Sequence, residues 1–225
     1  MRPGDPVESG ARPAAREPWS RWHVSVAEAA GEPLCIALAN TCERRGTRRP
    51  IERLGSIDDL LRFACDQDVC DDDAATRLAR DASTRPRIAA AELAATLALR
   101  EAITRLLGNR DRAASGDLPL LARTFDAAQR AVRLELGIGT LTARARGRQA
   151  GLESVRLQAA VSAMVLLGSP RASRVRCCAD DRGCGRLFVD TTRNGSRRYC
   201  LAGECGNRAR QAAFRARHRK ELVRA

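Results

Sequence analysis

Four cysteines near the C-terminal end constrain this chain more than anything else in it. They stand as Cys178-Ala-Asp-Asp-Arg-Gly-Cys184 and Cys200-Leu-Ala-Gly-Glu-Cys205, two close pairs separated by 15 residues. That spacing can place four thiolates around one tetrahedral Zn²⁺. An all-sulfur set leaves no open coordination position, so the expected ion is structural rather than catalytic. Cys177 adjoins Cys178, which leaves the first ligand open between them; the five-residue gap to Cys184 favours Cys178. Between the pairs, Leu187-Phe188-Val189 reads as a strand, Asn194-Gly195 as a tight hairpin turn and Arg197-Arg198-Tyr199 as the return strand. Asn207–Val223 reads as a helix. A knuckle, a hairpin and a helix whose first turn supplies the last ligand describe a treble-clef-like zinc finger. A module this small has little apolar core, so metal binding is expected to provide much of its folding free energy.

Charge is distributed in the same way. Of 225 residues, 40 are Lys or Arg and 27 Asp or Glu, and Lys220 is the single lysine. Residues 171–225 carry 15 basic and 5 acidic side chains, a net +10, whereas residues 1–170 carry only +3. The pattern points to a near-neutral domain joined to an anion-binding one. On the final helix Arg208, Arg215 and Arg219 share one stripe, with Arg210 and Arg217 read as a neighbouring one, and Arg193, Arg197 and Arg198 belong to the hairpin. Guanidinium groups on a metal-fixed scaffold suit phosphate oxygens and can also read guanine edges. A solvated arginine-rich tail is the competing reading, disfavoured by how tightly the charge is localised. Asn207 caps the helix or contacts a base, with the cap ahead; Arg208 meets a phosphate or partners the hairpin.

The N-terminal two thirds are mainly helical. Residues 1–22, with four prolines and two glycines, are expected to be a disordered lead, followed by a domain at 23–169 and the finger at 170–225. Leu34, Cys35, Leu38 and Cys42 fall at helical spacings. Ser56 and the run Asp71–Asp73 are placed to begin two further helices. Residues 90–107 form the clearest helix, with Leu93, Leu97, Arg100, Thr104 and Leu107 along one side; Glu92, Arg100 and Glu101 are a solvated face or an ion pair. A helix near 118–130 precedes an alternating segment, Val132, Leu134, Leu136, then Leu141 and Ala143 beyond Gly137 and Gly139, which predicts a short hairpin. Residues 152–168 are again helical and stop at Gly168-Ser169-Pro170. The expected fold class is therefore α+β: a mainly helical N-terminal domain with a short β-hairpin, then the small finger. Cys35, Cys42, Cys65 and Cys70 read as buried structural thiols, with a redox role as the alternative.

Several classes are disfavoured. No apolar run is long enough to span a membrane, the first 20 residues lack the apolar stretch of a secretory signal, and two histidines, His23 and His218, leave little room for His-dependent catalysis. Nine cysteines then suggest a reducing, cytoplasmic setting.

Cys205-Gly206-Asn207-Arg208, preceded by Asn194-Gly195-Ser196-Arg197-Arg198-Tyr199-Cys200 and by Leu187-Phe188-Val189-Asp190, resembles the CGNR zinc-finger family, with Tyr199 where that family usually has tryptophan. Leu34-Cys35-Ile36-Ala37-Leu38-Ala39-Asn40-Thr41 is similar to the opening L-x-L-D-F-x-N-T segment of the ABATE domain that usually precedes this finger. Leu97-Ala98-Leu99-Arg100-Glu101-Ala102-Ile103 is similar to that domain's central L-x-L-R-E-A helix. The resemblance implies a bacterial-type, stress-linked transcription regulator. With the charge, it leads to the expectation of a non-enzymatic, DNA-binding protein. Cys178, Cys184, Cys200 and Cys205 would hold one structural Zn²⁺. Arg193, Arg197, Arg198, Arg208, Arg210, Arg215 and Arg217 would neutralise phosphates. The helical domain would sense a signal, such as a small-molecule effector, or form an oligomer. The alternative is a module that docks RNA or an acidic protein.

Overall fold

Ser56 and Asp71 begin their helices as their positions require. In the computed structural model the Ser56 hydroxyl accepts from the Asp59 N–H at 3.2 Å and the Asp71 carboxylate from the Ala74 N–H at 2.7 Å. Each satisfies a backbone donor that has no partner inside its helix. The structure describes residues 32–108, 110–137, 140–145 and 151–224. The expected lead at 1–22 and the turn at 138–139 lie outside them.

In chain order the helical region holds α1 (Leu34–Ala39), β1 (Cys42–Glu43), β2 (Ile51–Glu52), α2 (Ile57–Asp66), α3 (Asp72–Thr84), α4 (Pro86–Gly108) and α5 (Asp117–Ala131). After these come β3 (Val132–Gly137), β4 (Thr140–Ala145) and α6 (Ser154–Leu167). The finger adds β5 (Val175–Cys177), β6 (Leu187–Val189) and α7 (Asn207–Arg224). Among the described residues the strands form three two-stranded antiparallel sheets. The β3–β4 hairpin expected from the alternation pairs Val132 with Ala145 through to Gly137 with Thr140.

α4 is the hub: α1, α2, α3, α5 and α6 all pack against it. At 23 residues it is about 34 Å long. Its buried side runs through Ala89, Thr96, Leu99, Arg100, Ile103 and Leu107. The expected stripe is therefore rotated, and Leu93 and Leu97 are only half-buried. An alanine-rich helix surrounded on several sides has no single apolar face to read. Ile36, Leu38, Leu54, Leu60, Leu99, Ile103 and Leu121 form the innermost layer.

α1 is shorter than its periodicity suggests. It ends at Ala39, and Cys42 lies on β1 opposite Glu52 of β2, so Cys35 and Cys42 do not share a helix. The β1–β2 hairpin is tied to α4 by charge. Arg100, 4% exposed, donates to both Glu52 oxygens at 2.6 and 2.7 Å and to Glu101; Arg45 donates to Glu101 at 2.6 Å. Burial alone would raise the Glu52 and Glu101 carboxyls, but these arginines outweigh it and hold both below the ordinary carboxylate range. Glu92 likewise pairs with Arg156 of α6 at 2.6 Å. The ion-pair reading of these residues holds, and the solvated-face reading does not.

Candidate metal centre

The finger begins where β5 pairs with β6, Val175 opposite Val189 and Cys177 opposite Leu187. Cys178 and Cys184 hang from the loop between these strands, Cys200 follows a second loop, and Cys205 sits in the turn at Ala202–Gly206 that leads into α7. Their four Sγ atoms all lie within 4.8 Å of one another. Cys184–Cys200 and Cys200–Cys205 are both 3.7 Å apart. A tetrahedron with Zn–S bonds of about 2.3 Å has edges of about 3.8 Å, so the cluster fits one structural zinc ion. Cys178 belongs to it, whereas Cys177, the last residue of β5, is exposed. Successive residues of a strand project to opposite sides, which separates the two neighbouring thiols. Hydrogen bonds from Cys184 and Cys200 hold the Cys178 thiol well below its ordinary range, while burial pushes the Cys205 thiol up.

Around the sulfurs the finger has a small core of its own: Phe188 and Leu201 are buried with Cys178, Cys200 and Cys205, and Tyr199 packs on them. The expected hairpin between Leu187–Val189 and Arg197–Tyr199 does not form. β6 pairs with β5, and the reason is Asp190. This carboxylate, 2% exposed, accepts from Thr192 N–H at 2.9 Å, Thr192 Oγ1 at 2.6 Å and Arg197 N–H at 3.0 Å. Chain 191–197 therefore wraps around Asp190 instead of returning as a strand. Those donors hold the Asp190 carboxyl below its ordinary range, the Thr192 hydroxyl foremost.

The arginines expected to meet phosphates divide into two groups. Arg208 turns inward: Nη2 donates to Asp180 Oδ2 at 2.9 Å and to the Cys205 sulfur at 2.8 Å. This links the C-G-N-R segment to the knuckle through a metal ligand. Arg197 also faces the finger, donating to the carbonyls of Tyr199 and Cys200 with its guanidinium 4.7 Å from the Phe188 ring centre. Arg193, Arg198, Arg210, Arg215 and Arg217 are exposed, with Arg198 beside the Tyr199 ring. At 100° per residue, Arg210 and Arg217 lie on the side of α7 opposite Arg208 and not on an adjoining stripe. Phe214 is 55% exposed and meets His218 edge to face, so it does not pack into the metal module as its apolar character suggests. Asn207 makes no side-chain hydrogen bond among the described residues, and the π-helical turn before it takes over the start of α7.

A second set of residues, with no obvious chemistry in the sequence, seats the finger on the helical region. The Leu187 N–H donates to Asn40 Oδ1 and Asn40 Nδ2 donates to the Leu187 carbonyl, both at 2.9 Å and both buried. Cys178 N–H bonds the Arg186 carbonyl and Asp190 N–H the Arg174 carbonyl. By the alternation of antiparallel ladders, Leu187 then points its backbone groups away from β5. The Asn40 amide fills that open edge. Its place in the Leu34–Thr41 segment is the signal that marks it. Gly46 N–H also donates to the Gly183 carbonyl at 3.2 Å. A Cβ on Gly183, whose φ is +79°, would lie 2.7 Å from the Gly46 carbonyl carbon. Among the thiols of the helical region, Cys65 and Cys70 are half-buried with sulfurs 3.8 Å apart.

Comparison with known families matches both parts. Residues 32–170 match the family model ABATE, described as "Putative stress-induced transcription regulator", and residues 174–218 match the CGNR zinc finger. A search of the curated proteins found no match. No helix among the described residues is long and apolar enough to cross a membrane.

Proposed function

Because the chain belongs to the ABATE family, described as "Putative stress-induced transcription regulator", and carries a CGNR zinc finger, we propose that it regulates transcription by binding duplex DNA through the finger. In this reading the division falls at residue 170. The finger, 170–225, grips DNA, and the helical domain takes an effector or a second copy. The protein works beside the chromosome, in the cytoplasm of a bacterial-type cell, and has no catalytic role. Zinc held by Cys178, Cys184, Cys200 and Cys205 keeps the base of α7 in place, and the arginines beyond that base neutralise phosphates.

The observation that carries the reading is α7 itself. From Arg210 to His218 every side chain is exposed, and Arg210, Arg215 and Arg217 form no ion pair among the described residues. Eighteen residues of helix, about 27 Å, project from a metal-fixed base with cations on more than one side. A helix of this kind can lie along a groove and meet phosphates on both flanks. Arg193 and Arg198 add two exposed cations from the 190–199 loop. Arg197 and Arg208 give the finger its shape and contribute to binding through it.

Selection of binding sites from random duplexes by the zinc-loaded protein tests this. An enriched sequence, with binding that weakens steeply in salt and is reduced in an Arg210→Gln/Arg215→Gln/Arg217→Gln variant, is expected. A featureless pool with salt-independent retention would contradict it.

A further inference from the structure

We infer that the turn joining β1 to β2 is a second phosphate-binding element, which places Arg44, Arg48 and Arg49 of the helical domain on the same duplex as the finger; this rests on the DNA-binding reading above. Residues Arg44-Arg45-Gly46-Thr47-Arg48-Arg49 hold four arginines in six positions. They account for more positive charge than the net +3 of residues 1–170, so outside this turn that region is slightly acidic.

The four arginines are not equivalent. Arg45 is turned inward, held by Glu101 at 2.6 Å and by the Ala39 carbonyl at 3.1 Å. Arg44, Arg48 and Arg49 are exposed, and their guanidinium groups make no ion pair among the described residues. The turn is firmly shaped. Thr47 N–H and Oγ1 both donate to the Arg44 carbonyl at 2.9 Å, and Arg44 takes φ +55°, an uncommon conformation for a side-chain-bearing residue.

The turn is also fixed to the zinc knuckle. The Gly46–Gly183 hydrogen bond joins them, and a Cβ on Gly46 would lie 2.9 Å from the Gly183 Cα. Arg44 lines, together with Arg182 and Arg186 of the finger, an open cleft of about 290 Å³. Glu43, Asp180, Glu204, Arg208 and three of the four clustered cysteines, Cys184, Cys200 and Cys205, line that cleft too; three carboxylates nearly offset its four arginines, which disfavours a small anion lodged inside it. The unpaired charge lies on the exposed turn, where spaced cations suit a repeating polyanion.

The test is the salt dependence of binding to a labelled duplex of mixed sequence. It compares the full-length zinc-loaded protein, the variant Arg44→Gln/Arg48→Gln/Arg49→Gln and its lysine counterpart, each verified for one zinc per chain. Three lost phosphate contacts reduce the log–log slope by about 2.7, so the affinity gap between native and glutamine forms narrows about 40-fold from 50 to 200 mM salt. The lysine counterpart keeps the native slope. An unchanged slope in the glutamine variant, beside a reduced slope in the Arg210/Arg215/Arg217 variant, overturns this inference and leaves the finger reading standing. A native protein that fails to bind duplex, or prefers RNA or an acidic protein, overturns both.

Discussion

Replacing Asn40 with alanine is expected to loosen the finger from the helical region without removing its metal. Asn40 supplies one acceptor and one donor to the Leu187 backbone at 2.9 Å each, and Leu187 is 2% exposed. In Asn40→Ala the Leu187 N–H and carbonyl lose their only partners among the described residues while staying buried. At about 1–3 kcal/mol for each of the two buried groups left unsatisfied, the loss is about 2–6 kcal/mol. That is a large share of the roughly 5–15 kcal/mol holding a typical domain. Asn40→Asp sharpens the test. A carboxylate still accepts from the Leu187 N–H, but its second oxygen faces the Leu187 carbonyl with no proton to donate. At neutral pH it should be at least as destabilised as the alanine variant, and it should recover partly in acid as the carboxyl protonates. The assay is chemical denaturation at saturating zinc, with metal content and hydrogen exchange at β6 measured alongside. The expected outcome is one zinc per chain, reduced stability and faster exchange at Leu187. A loss below about 0.5 kcal/mol, or unchanged exchange at β6, would refute the argument that this amide closes the strand edge.

Gly183→Ala puts a side chain where φ is +79° and the Gly46 backbone is 2.7 Å away; a loss of about 2 kcal/mol or more is expected, read as weaker zinc retention against a chelator. Arg208→Ala removes the donor to Asp180 and to the Cys205 sulfur and should lower zinc affinity about 10- to 100-fold, whereas Arg210→Ala should leave it unchanged; equal effects would contradict the division drawn between them. Asp117 is held below its ordinary 3.8 first by hydrogen bonds from Arg105, one of them at 2.6 Å. A lowered carboxyl stabilises above its unfolded value, near pH 4, and that contribution disappears as pH falls through the lower folded value. Asp117→Asn should therefore cost about 1–2 kcal/mol at pH 7, and its melting temperature should converge on that of the native protein as acid protonates the folded carboxyl; a gap that persists once the native carboxyl has titrated would contradict the assignment.

The cysteine spacing made the metal centre legible because four sulfurs at those intervals have few other uses, and the quartet forms from the residues that the spacing favoured. Helix starts at Ser56 and Asp71 were equally readable, since a cap acts within three residues of itself. What escaped the sequence is nonlocal. Asp190 draws a loop around itself, so β6 pairs upstream with β5; the Asn194-Gly195 dipeptide signals a turn but not which strands it joins. Arg197 and Arg208 have the same side chain as Arg210 and Arg217, and only the acceptors around them, Asp180 and the Tyr199 and Cys200 carbonyls, set them apart. Asn40 and Gly46 act through backbone groups well over a hundred residues away, a distance at which no local pattern reports. The rotated face of α4 has the same origin, because its neighbours on several sides, not its own periodicity, decide which residues are buried.

The central claim is that one zinc ion, held by Cys178, Cys184, Cys200 and Cys205, organises the surface that meets DNA. The most direct measurement removes the metal with a chelator and titrates zinc back while following binding of a labelled duplex together with metal content. The account predicts that affinity is lost on removal and returns in proportion to zinc up to one equivalent per chain, and that Cys200→Ser does not recover it. Duplex binding of equal affinity and equal salt dependence in the metal-free protein would contradict it.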